Sequence, residues 1–368
     1  MGKVNPAPRA FYDPARTYDD NFDNGPFTVF EDEKPYTNKG EPEYTFLGKP
    51  IYSPLGIAAG PLLNSRHIKY VFSRGFDVNV YKTQRTVSFS ANEFPNVLYL
   101  DIKGDLTIEK SKQALTGRSR AKGSPKHFSI TNSFGNPSRG PGFWVPDMKK
   151  ALSSQRKGQL LIASVVGTVK KGFTDKDYFD DFAKAAQLAA STGVEAIEVN
   201  LSCPNVATEG ILCYTPGSVL AITEGVKERI GKLPLILKLG YFSNDQEKLL
   251  VKTLRDVGPY MSAVSAINTI PAPVVNENGD QALPGPNRLI SGVCGSGIKW
   301  AGLDMVSRLS RIRKKLGLNF EIIGVGGVMS PKDFQQYRDM GADIVMTATG
   351  AMWNPLLAHE IKQYLNSR

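Results

Sequence analysis

The feature of this chain that most restricts its fold is a repeated alternation between short β-rich runs and amphipathic helical segments. The β-rich runs are Leu55–Gly60, Val78–Thr83, Phe128–Ser133, Leu160–Gly167, Ala196–Ser202, Leu235–Gly240, Ala263–Thr269, Ile322–Gly327 and Ile344–Thr349. The helical periods cover Asp177–Ser191, Pro216–Ile230, Gln246–Val257, Gly302–Lys315 and Pro331–Met340. Because such alternation is typical of parallel strands joined by crossover helices, the sequence predicts an α/β fold, the (β/α)8 TIM barrel.

One β-rich run is predicted to lie outside the barrel, because there are nine runs and the barrel holds eight strands. No convincing amphipathic helix separates Lys82 from Phe128, whereas parallel neighbours need a crossover. We therefore assign Phe128–Ser133 to a long excursion after the second strand that folds over the barrel mouth, and the second helix to about Pro146–Gln155. Residues 1–45 are polar without a sustained period and are predicted to form an irregular N-terminal extension; residues 46–368 are predicted to form the catalytic barrel domain.

The composition predicts a soluble, cytoplasmic protein without a nucleic-acid or membrane partner. No apolar run approaches the ~18–20 residues that cross a bilayer, and the first residues lack the apolar core of a signal peptide. Cys203, Cys213 and Cys294 show no CxxC spacing, which predicts no disulfide framework, iron–sulfur cluster or zinc site, and three histidines leave little room for a histidine-based metal centre. The basic residues behind the net charge of +10 are dispersed. That favours an anionic substrate and a phosphate-bearing cofactor over nucleic acid.

The segment Asn200-Leu201-Ser202-Cys203-Pro204-Asn205 is the strongest candidate for a functional motif. It follows an apolar strand and puts a thiol between two carboxamides at the end of the strand where a barrel builds its active site. The alternative is a structural one, since free cysteine often serves as a small buried hydrophobe.

Two lysines and several carboxamides also lie within or directly after predicted apolar strands. Lys238 lies within an apolar strand and needs a counter-charge or an electron-rich partner there. Lys82 ends another strand and faces the barrel mouth, although a snorkelling side chain would explain it as well. The carboxamides at such places are Asn132, Asn200, Asn205 and Asn268, the last followed by Thr269. They offer uncharged donors and acceptors, as a heterocycle with alternating carbonyl and N–H groups requires.

Glycine-containing turns end the last two strands and indicate a phosphate site. Gly326-Gly327 follow one strand, with Ser330 and Pro331 as helix cap and first-turn proline, and Ala348-Thr349 end the other. Backbone N–H groups in such turns bind phosphate at the last two strands of barrels. Gly297, in a third glycine turn, would let backbone approach a cofactor, although a plain loop explains it equally well.

Together these motifs resemble the dihydroorotate dehydrogenase family. Six features occur in the family's order. They are Tyr-Lys-Thr at 81–83, Asn-Ser-Phe-Gly-Asn-Pro at 132–137, Asn-Leu-Ser-Cys-Pro-Asn at 200–205, the strand lysine, Ile-Asn-Thr at 267–269 and Gly-Val-Gly-Gly at 324–327. Cysteine at position 203 is similar to the soluble class 1 enzymes, whereas the membrane-associated, quinone-using class carries serine there.

The resemblance implies an FMN flavoprotein that oxidises dihydroorotate to orotate. It makes Cys203 the base that takes the C5 proton while the C6 hydride goes to flavin N5, and Lys238 the group that stabilises the reduced flavin. The implied substrate residues are Lys82, Asn132, Phe134, Gly135, Asn136, Asn200, Asn205, Asn268 and Thr269. The implied FMN residues are Ala59, Gly60, Lys82, Thr83, Asn132, Asn200, Lys238, Gly297, Gly326, Gly327, Ala348 and Thr349.

Departures from the family pattern leave the substrate and the electron acceptor open. Four features differ from the family's usual sequence: the loop at 134–138, the segment Val206–Tyr214, Ala348 and the long N-terminal extension. Three alternatives remain open. The first is a dihydropyrimidine-type oxidoreductase, the second a phosphate-binding isomerase or lyase with Lys238 as Schiff-base former, and the third a flavin-binding barrel without activity. For the acceptor we favour fumarate with a homodimer over NAD, which would need a partner subunit.

Overall fold

Eight parallel strands close into a barrel in the computed structural model, which describes residues 11–27, 35–202 and 212–367. In ring order they are β3 (Leu55–Ile57), β4 (Val78–Gln84), β10 (Leu160–Val165), β11 (Ile197–Asn200), β12 (Leu235–Leu239), β13 (Ala263–Ala266), β16 (Glu321–Val325) and β17 (Ile344–Thr347). The strand β17 pairs with β3 and closes the ring. The (β/α)8 prediction is therefore confirmed.

Apolar side chains fill the inside of the barrel. Val80, Ile162, Ile236 and Ile323 come from different strands and belong to one buried cluster. The hairpin of β1 (Tyr44–Phe46) and β2 (Lys49–Ile51) adds Phe46 to this cluster at the end where the strands begin. Apolar side chains therefore fill the end of the barrel where the strands begin, and buried polar residues such as Glu198 and Lys238 lie further along the strands.

Helices surround the barrel, and five of them follow the predicted periods within a few residues. The helix predicted at about Pro146–Gln155 begins earlier, at Pro141, and the helices at 65–73 and 357–366 were not predicted. The helices are α2 (Ser65–Ser73), α4 (Pro141–Leu152), α5 (Asp175–Ala190), α6 (Pro216–Ile230), α7 (Glu247–Val257), α8 (Lys299–Leu316), α9 (Pro331–Asp339) and α11 (Leu357–Asn366), with the short α3 (Ile108–Ser111) and α10 (Thr349–Trp353). Local capping fixes several ends: Thr174 and Asp177 form a capping box at the start of α5. Gly317 ends α8 in the left-handed conformation with φ 61°. Within the described residues, no helix combines the length and apolarity needed to span a membrane.

Two insertions at the barrel mouth form a second, smaller barrel. The first lies between β4 and β10 and contains β5 (Ser88–Phe89), β6 (Tyr99–Leu100), β7 (Leu115–Arg118), β8 (Ser129–Asn132) and β9 (Ser138–Arg139). The second follows β13 and consists of β14 (Ile270–Val275) and β15 (Ile290–Gly295). Strands β14, β15, β8, β6 and β7 close on one another. The predicted excursion after the second strand is thus confirmed, whereas the insertion after the sixth strand was not predicted.

The N-terminal extension is less irregular than predicted. Residues 18–24 form helix α1 (Tyr18–Asn24), whose N-cap Thr17 accepts a hydrogen bond from the Asp20 amide. Phe11, Tyr12 and Phe22 are buried in the main core. Seven residues with two apolar positions are too few to show a helical period in sequence, which is why the helix was missed.

Candidate active site

A cavity opens at the carboxyl ends of the barrel strands, where the sequence predicted the site. Its walls consist of Ala58, Ala59, Gly60, Lys82, Thr83, Asn132, Asn136, Glu198, Asn200, Lys238, Asn268, Thr269, Cys294, Val325 and Ala348. Most of these residues were predicted as site residues. Ala58, Glu198, Cys294 and Val325 were not.

Lys238 lies deep in this cavity because β12 carries it there in register with its neighbours. It is paired with Asn200 of β11 and with Ser265 of β13. The side chain is 6% exposed, and its Nζ donates to Ser265 Oγ at 3.3 Å. Burial lowers the pKa of Lys238, while the charge of Glu198 acts in the opposite direction. Lys238 is therefore a buried amine whose pKa is set by burial and by the charge of Glu198.

Glu198 is the functional candidate that sequence reasoning missed. It is buried, and burial raises its pKa, whereas the charge of Lys238 and hydrogen bonds from Ser164 and Ser265 lower it. Ser164 also contacts the Thr83 hydroxyl at 3.0 Å, so the polar network reaches the neighbouring strand. The signal that singled out Lys238, a charged residue inside an apolar strand, was equally present at Glu198.

The carboxamides at the mouth are coupled to one another. Asn268 Nδ2 donates to Asn200 Oδ1 at 3.2 Å and to the carbonyl of Ser202. Among the described residues, Thr269 Oγ1, Asn136 Nδ2 and Glu198 Oε2 are buried without a hydrogen-bond partner. The three residues line the cavity, and these atoms are open to hydrogen bonds from a polar ligand, although buried atoms without a partner also occur elsewhere in the described residues.

Lys82 lies beside the loop that joins β8 to β9. Its side chain is 4% exposed, and its Nζ is 6.0 Å from the centre of the Phe134 ring. The loop turns at Gly135 and Asn136, with φ 80° and 52°. A Cβ at Gly135 would lie 2.8 Å from Asn92 Oδ1, so only glycine fits. Phe134 and Gly135 thus shape the loop, and Asn136 is the member of the three that lines the cavity.

The glycine turns lie at strand ends, as predicted, but their glycines do not line the cavity itself. Gly326 and Gly327 adopt φ 133° and 64° at the end of β16 and are not among the cavity residues, whereas Gly327 lines a neighbouring cleft. Thr349 Oγ1 is 3.6 Å from Cys294 Sγ. Gly297 is also not brought to the cavity: its N–H donates to Ser129 Oγ and its carbonyl accepts from the Leu106 amide.

Cys203 and Asn205 lie outside the residues that the structure describes. Their neighbour Ser202 is buried, and its carbonyl accepts from Asn268 at the cavity. The predicted roles of both residues therefore stay predictions.

The fold and the site define a (β/α)8-barrel enzyme with a polar, cationic pocket at its mouth. Residues 109–368 match the family model for dihydroorotate dehydrogenase. The chain is 37% identical to "Dihydroorotate dehydrogenase" of Dictyostelium discoideum over 363 residues, 96% of each chain. It is also 28% identical to "Dihydroorotate dehydrogenase B (NAD(+)), catalytic subunit" of Desulforudis audaxviator over 295 residues, 77% of this chain and 87% of that one. The chain belongs to the dihydroorotate dehydrogenase family, a flavin-dependent family of oxidoreductases that act on a CH–CH bond.

Proposed function

We propose that this protein is a class 1 dihydroorotate dehydrogenase that oxidises dihydroorotate to orotate in pyrimidine biosynthesis, with FMN as cofactor. The observation that carries the proposal is the convergence of two buried lysines and several carboxamides in one cavity of a family member. Carboxamides match the carbonyl and N–H groups of the pyrimidine ring, and an ammonium matches its carboxylate. Asn132, Asn200, Asn205, Asn268 and Thr269 would bind the ring, and Lys82 and the loop of Phe134, Gly135 and Asn136 would bind the carboxylate.

The remaining part of the cavity fits FMN. A Cβ at Gly60 would meet nothing within 4 Å, so this backbone borders open space that a flat ring would occupy. Ala59 and Gly60 would lie against the isoalloxazine, and Lys238 would bind beside its N1 and C2 carbonyl. The other proposed FMN residues are Lys82, Thr83, Asn132, Asn200, Gly326, Gly327, Ala348 and Thr349. When bound, FMN supplies the two-electron acceptor that the oxidation needs.

Cys203 would act as the base. It would take the proton from C5 of dihydroorotate, C6 would lose a hydride, and the C5–C6 double bond of orotate would form. The other two cysteines carry almost no thiolate near neutral pH, because burial raises the pKa of Cys213 to about 12 and that of Cys294 to about 11. The position of Cys203, directly after a residue that contacts the Asn268 carboxamide, supports this assignment.

For the electron acceptor we propose fumarate, used by a cytoplasmic homodimer. Fumarate needs no second kind of subunit, in contrast to the NAD route that the names of the bacterial relatives indicate for those proteins. Orotate formation assayed in parallel with fumarate, NAD+ and a quinone would distinguish the routes. Orotate made with NAD+ by the isolated chain would overturn the fumarate proposal.

The cofactor and the reaction are tested together on the purified protein. Denaturation should release about one FMN per chain, identified by chromatography and mass spectrometry. Dihydroorotate should bleach the bound flavin under anaerobic conditions, and orotate should appear. A protein expressed with riboflavin that releases no flavin would contradict the cofactor assignment, and a flavoprotein that dihydroorotate does not reduce would contradict the substrate assignment.

A further inference from the structure

The N-terminal extension contacts the same loop that carries Phe134 and Asn136. The ring of Tyr12 lies edge-on to Phe134 at 5.6 Å between centres, and the ring of Tyr18 lies 5.9 Å from it. Both tyrosines are buried, at 2% and 5% exposure. Burial raises the pKa of both hydroxyls, so the rings are neutral and bring no negative charge towards Lys82.

The same short segment also contacts the far end of this loop. Arg139 Nη2 lies 3.0 Å from Asp19 and 3.2 Å from Asp23, and its guanidinium lies over the Phe22 ring at 4.4 Å. Strand pairing with Ser88 holds Arg139 on its other side. Helix α1 therefore contacts both ends of the loop, through aromatic rings at residue 134 and through charges at residue 139.

The extension is itself fixed to the barrel by backbone contacts. The Phe11 amide donates to the carbonyl of Met352 at 3.1 Å, and Asn64 Nδ2 donates to the carbonyl of Phe22 at 2.8 Å. Within α1, Asn21 Oδ1 accepts from the Asp13 amide at 2.7 Å. The aromatic wall behind Phe134 is thus anchored to two separate parts of the barrel and has a defined position.

We propose that Tyr12, Tyr18 and the Asp19–Asp23 pair are positioning residues for substrate binding, which hold Phe134 over Lys82 and Asn136 in the cavity wall. The inference rests on the proposed function, since it assigns the extension a part in binding the dihydroorotate carboxylate. Without these contacts the loop occupies its substrate-binding conformation for a smaller fraction of the time. The apparent affinity for the substrate falls in proportion to that fraction. The extension is proposed to act on the substrate loop and not on the glycine turns after β16 and β17, so the flavin content should stay unchanged.

Two sets of variants test the proposal in the holoprotein. The first is Tyr12→Leu with Tyr18→Leu, and its conservative control is Tyr18→Phe, which keeps the ring. The second is Asp19→Asn with Asp23→Asn, changes at exposed positions that leave the core intact. Its matched control is Asp180→Asn on helix α5, which removes exposed ion pairs with Lys184 of the same helix and with Arg229 of α6. Orotate affinity is measured by titration of the flavin spectrum and by calorimetry, together with the flavin content and the rate of flavin reduction at saturating dihydroorotate.

We expect the tyrosine double variant to bind orotate about tenfold more weakly and to keep its flavin and its limiting reduction rate. The aspartate double variant should bind orotate about two- to threefold more weakly than the parent. This difference should be larger at low salt, because exposed ion pairs are screened at high salt. Tyr18→Phe and Asp180→Asn should bind like the parent. Since Tyr18 acts through Phe134, Tyr18→Leu should have no further effect on affinity in a Phe134→Leu background.

Three outcomes would overturn the inference. Unchanged orotate affinity in both double variants would show that the extension does not position the loop. Loss of flavin in parallel with orotate would indicate general unfolding of the mouth. Additive effects of Tyr18→Leu and Phe134→Leu would place the action of Tyr18 elsewhere. A parent protein that keeps its flavin and binds no orotate would instead overturn the proposed function, and the inference with it.

Discussion

Glu198 and Lys238 lie on adjacent strands inside the barrel, and Lys238 Nζ donates to the hydroxyl of Ser265 at 3.3 Å. Each charge offsets part of the cost of burying the other. The charge of Glu198 raises the pKa of Lys238 and so opposes burial, which lowers that pKa. The charge of Lys238 in turn lowers the pKa of Glu198, which burial raises.

Glu198→Gln should move the alkaline limb of the pH–rate profile to lower pH. The amide keeps the shape of the side chain but removes the negative charge that raises the pKa of Lys238, so the ammonium loses its proton more readily. The rate of flavin reduction at saturating dihydroorotate, measured across pH, should show the alkaline limb displaced to lower pH. Glu321→Gln, at the opposite end of the barrel beside the Leu47 amide, is the control. Superimposable profiles for Glu198→Gln and the parent would contradict the coupling.

Cys203→Ala should slow flavin reduction by roughly 10²–10⁴, the usual contribution of a positioned base. Cys203→Ser should reduce its flavin faster than Cys203→Ala above neutral pH, because serine holds the same position with a weaker tendency to ionise. Stopped-flow measurement of flavin bleaching checks both variants, whose flavin spectra should match that of the parent. Cys294→Ala is the control thiol in the same cavity. A Cys203→Ala protein that reduces its flavin at the parent rate would place the base elsewhere.

Lys82→Met should remove most of the preference for orotate over uracil. Both ligands present the pyrimidine ring, but only orotate carries the carboxylate that a charge-assisted bond to Lys82 would hold. The bond to a charged group is worth about 1.5–3 kcal/mol, so orotate should weaken about ten- to a hundredfold while uracil changes little. Spectral titrations with the two ligands give the comparison. Equal affinities in the parent would favour a dihydropyrimidine-type enzyme.

Much of the barrel was predictable because its strands are continuous apolar runs between polar turns. Helix α2 escaped prediction because Ser65–Ser73 contains β-branched and aromatic residues that favour strands. The insertion after β13 escaped because β14 contains Pro271 and Pro273, and proline argues against a strand. Its partner β7 is distant in sequence, and a loop over residues 276–289 separates it from β15, so no short hairpin turn reveals the pairing.

In the site, the polar residues in or after apolar runs were predictable, as Lys238 and Asn268 show. Ala58 and Val325 also line the cavity, but an apolar residue near a strand end looks like any other core residue in sequence. At Gly297 the sequence shows a flexible turn, but only the structure shows that its N–H and carbonyl are bound to Ser129 and Leu106.

His67 should lower the stability of the protein in acid, an effect that does not depend on the proposed function. His67 is fully buried, and burial lowers its pKa to about 3. Below pH 6.5 the unfolded chain therefore binds a proton that the folded protein does not, and stability falls with pH by up to about 1.4 kcal/mol per unit until pH 3. His67→Gln removes this group and keeps a side chain that can donate to Asn64 Oδ1, the present partner of the ring. The loss of unfolding free energy between pH 7.5 and pH 5, from urea denaturation, should then be about 2 kcal/mol smaller than in the parent. His359→Gln, at an exposed position, should leave that difference unchanged. An equal pH dependence in His67→Gln and the parent would show that His67 takes up its proton in the folded state.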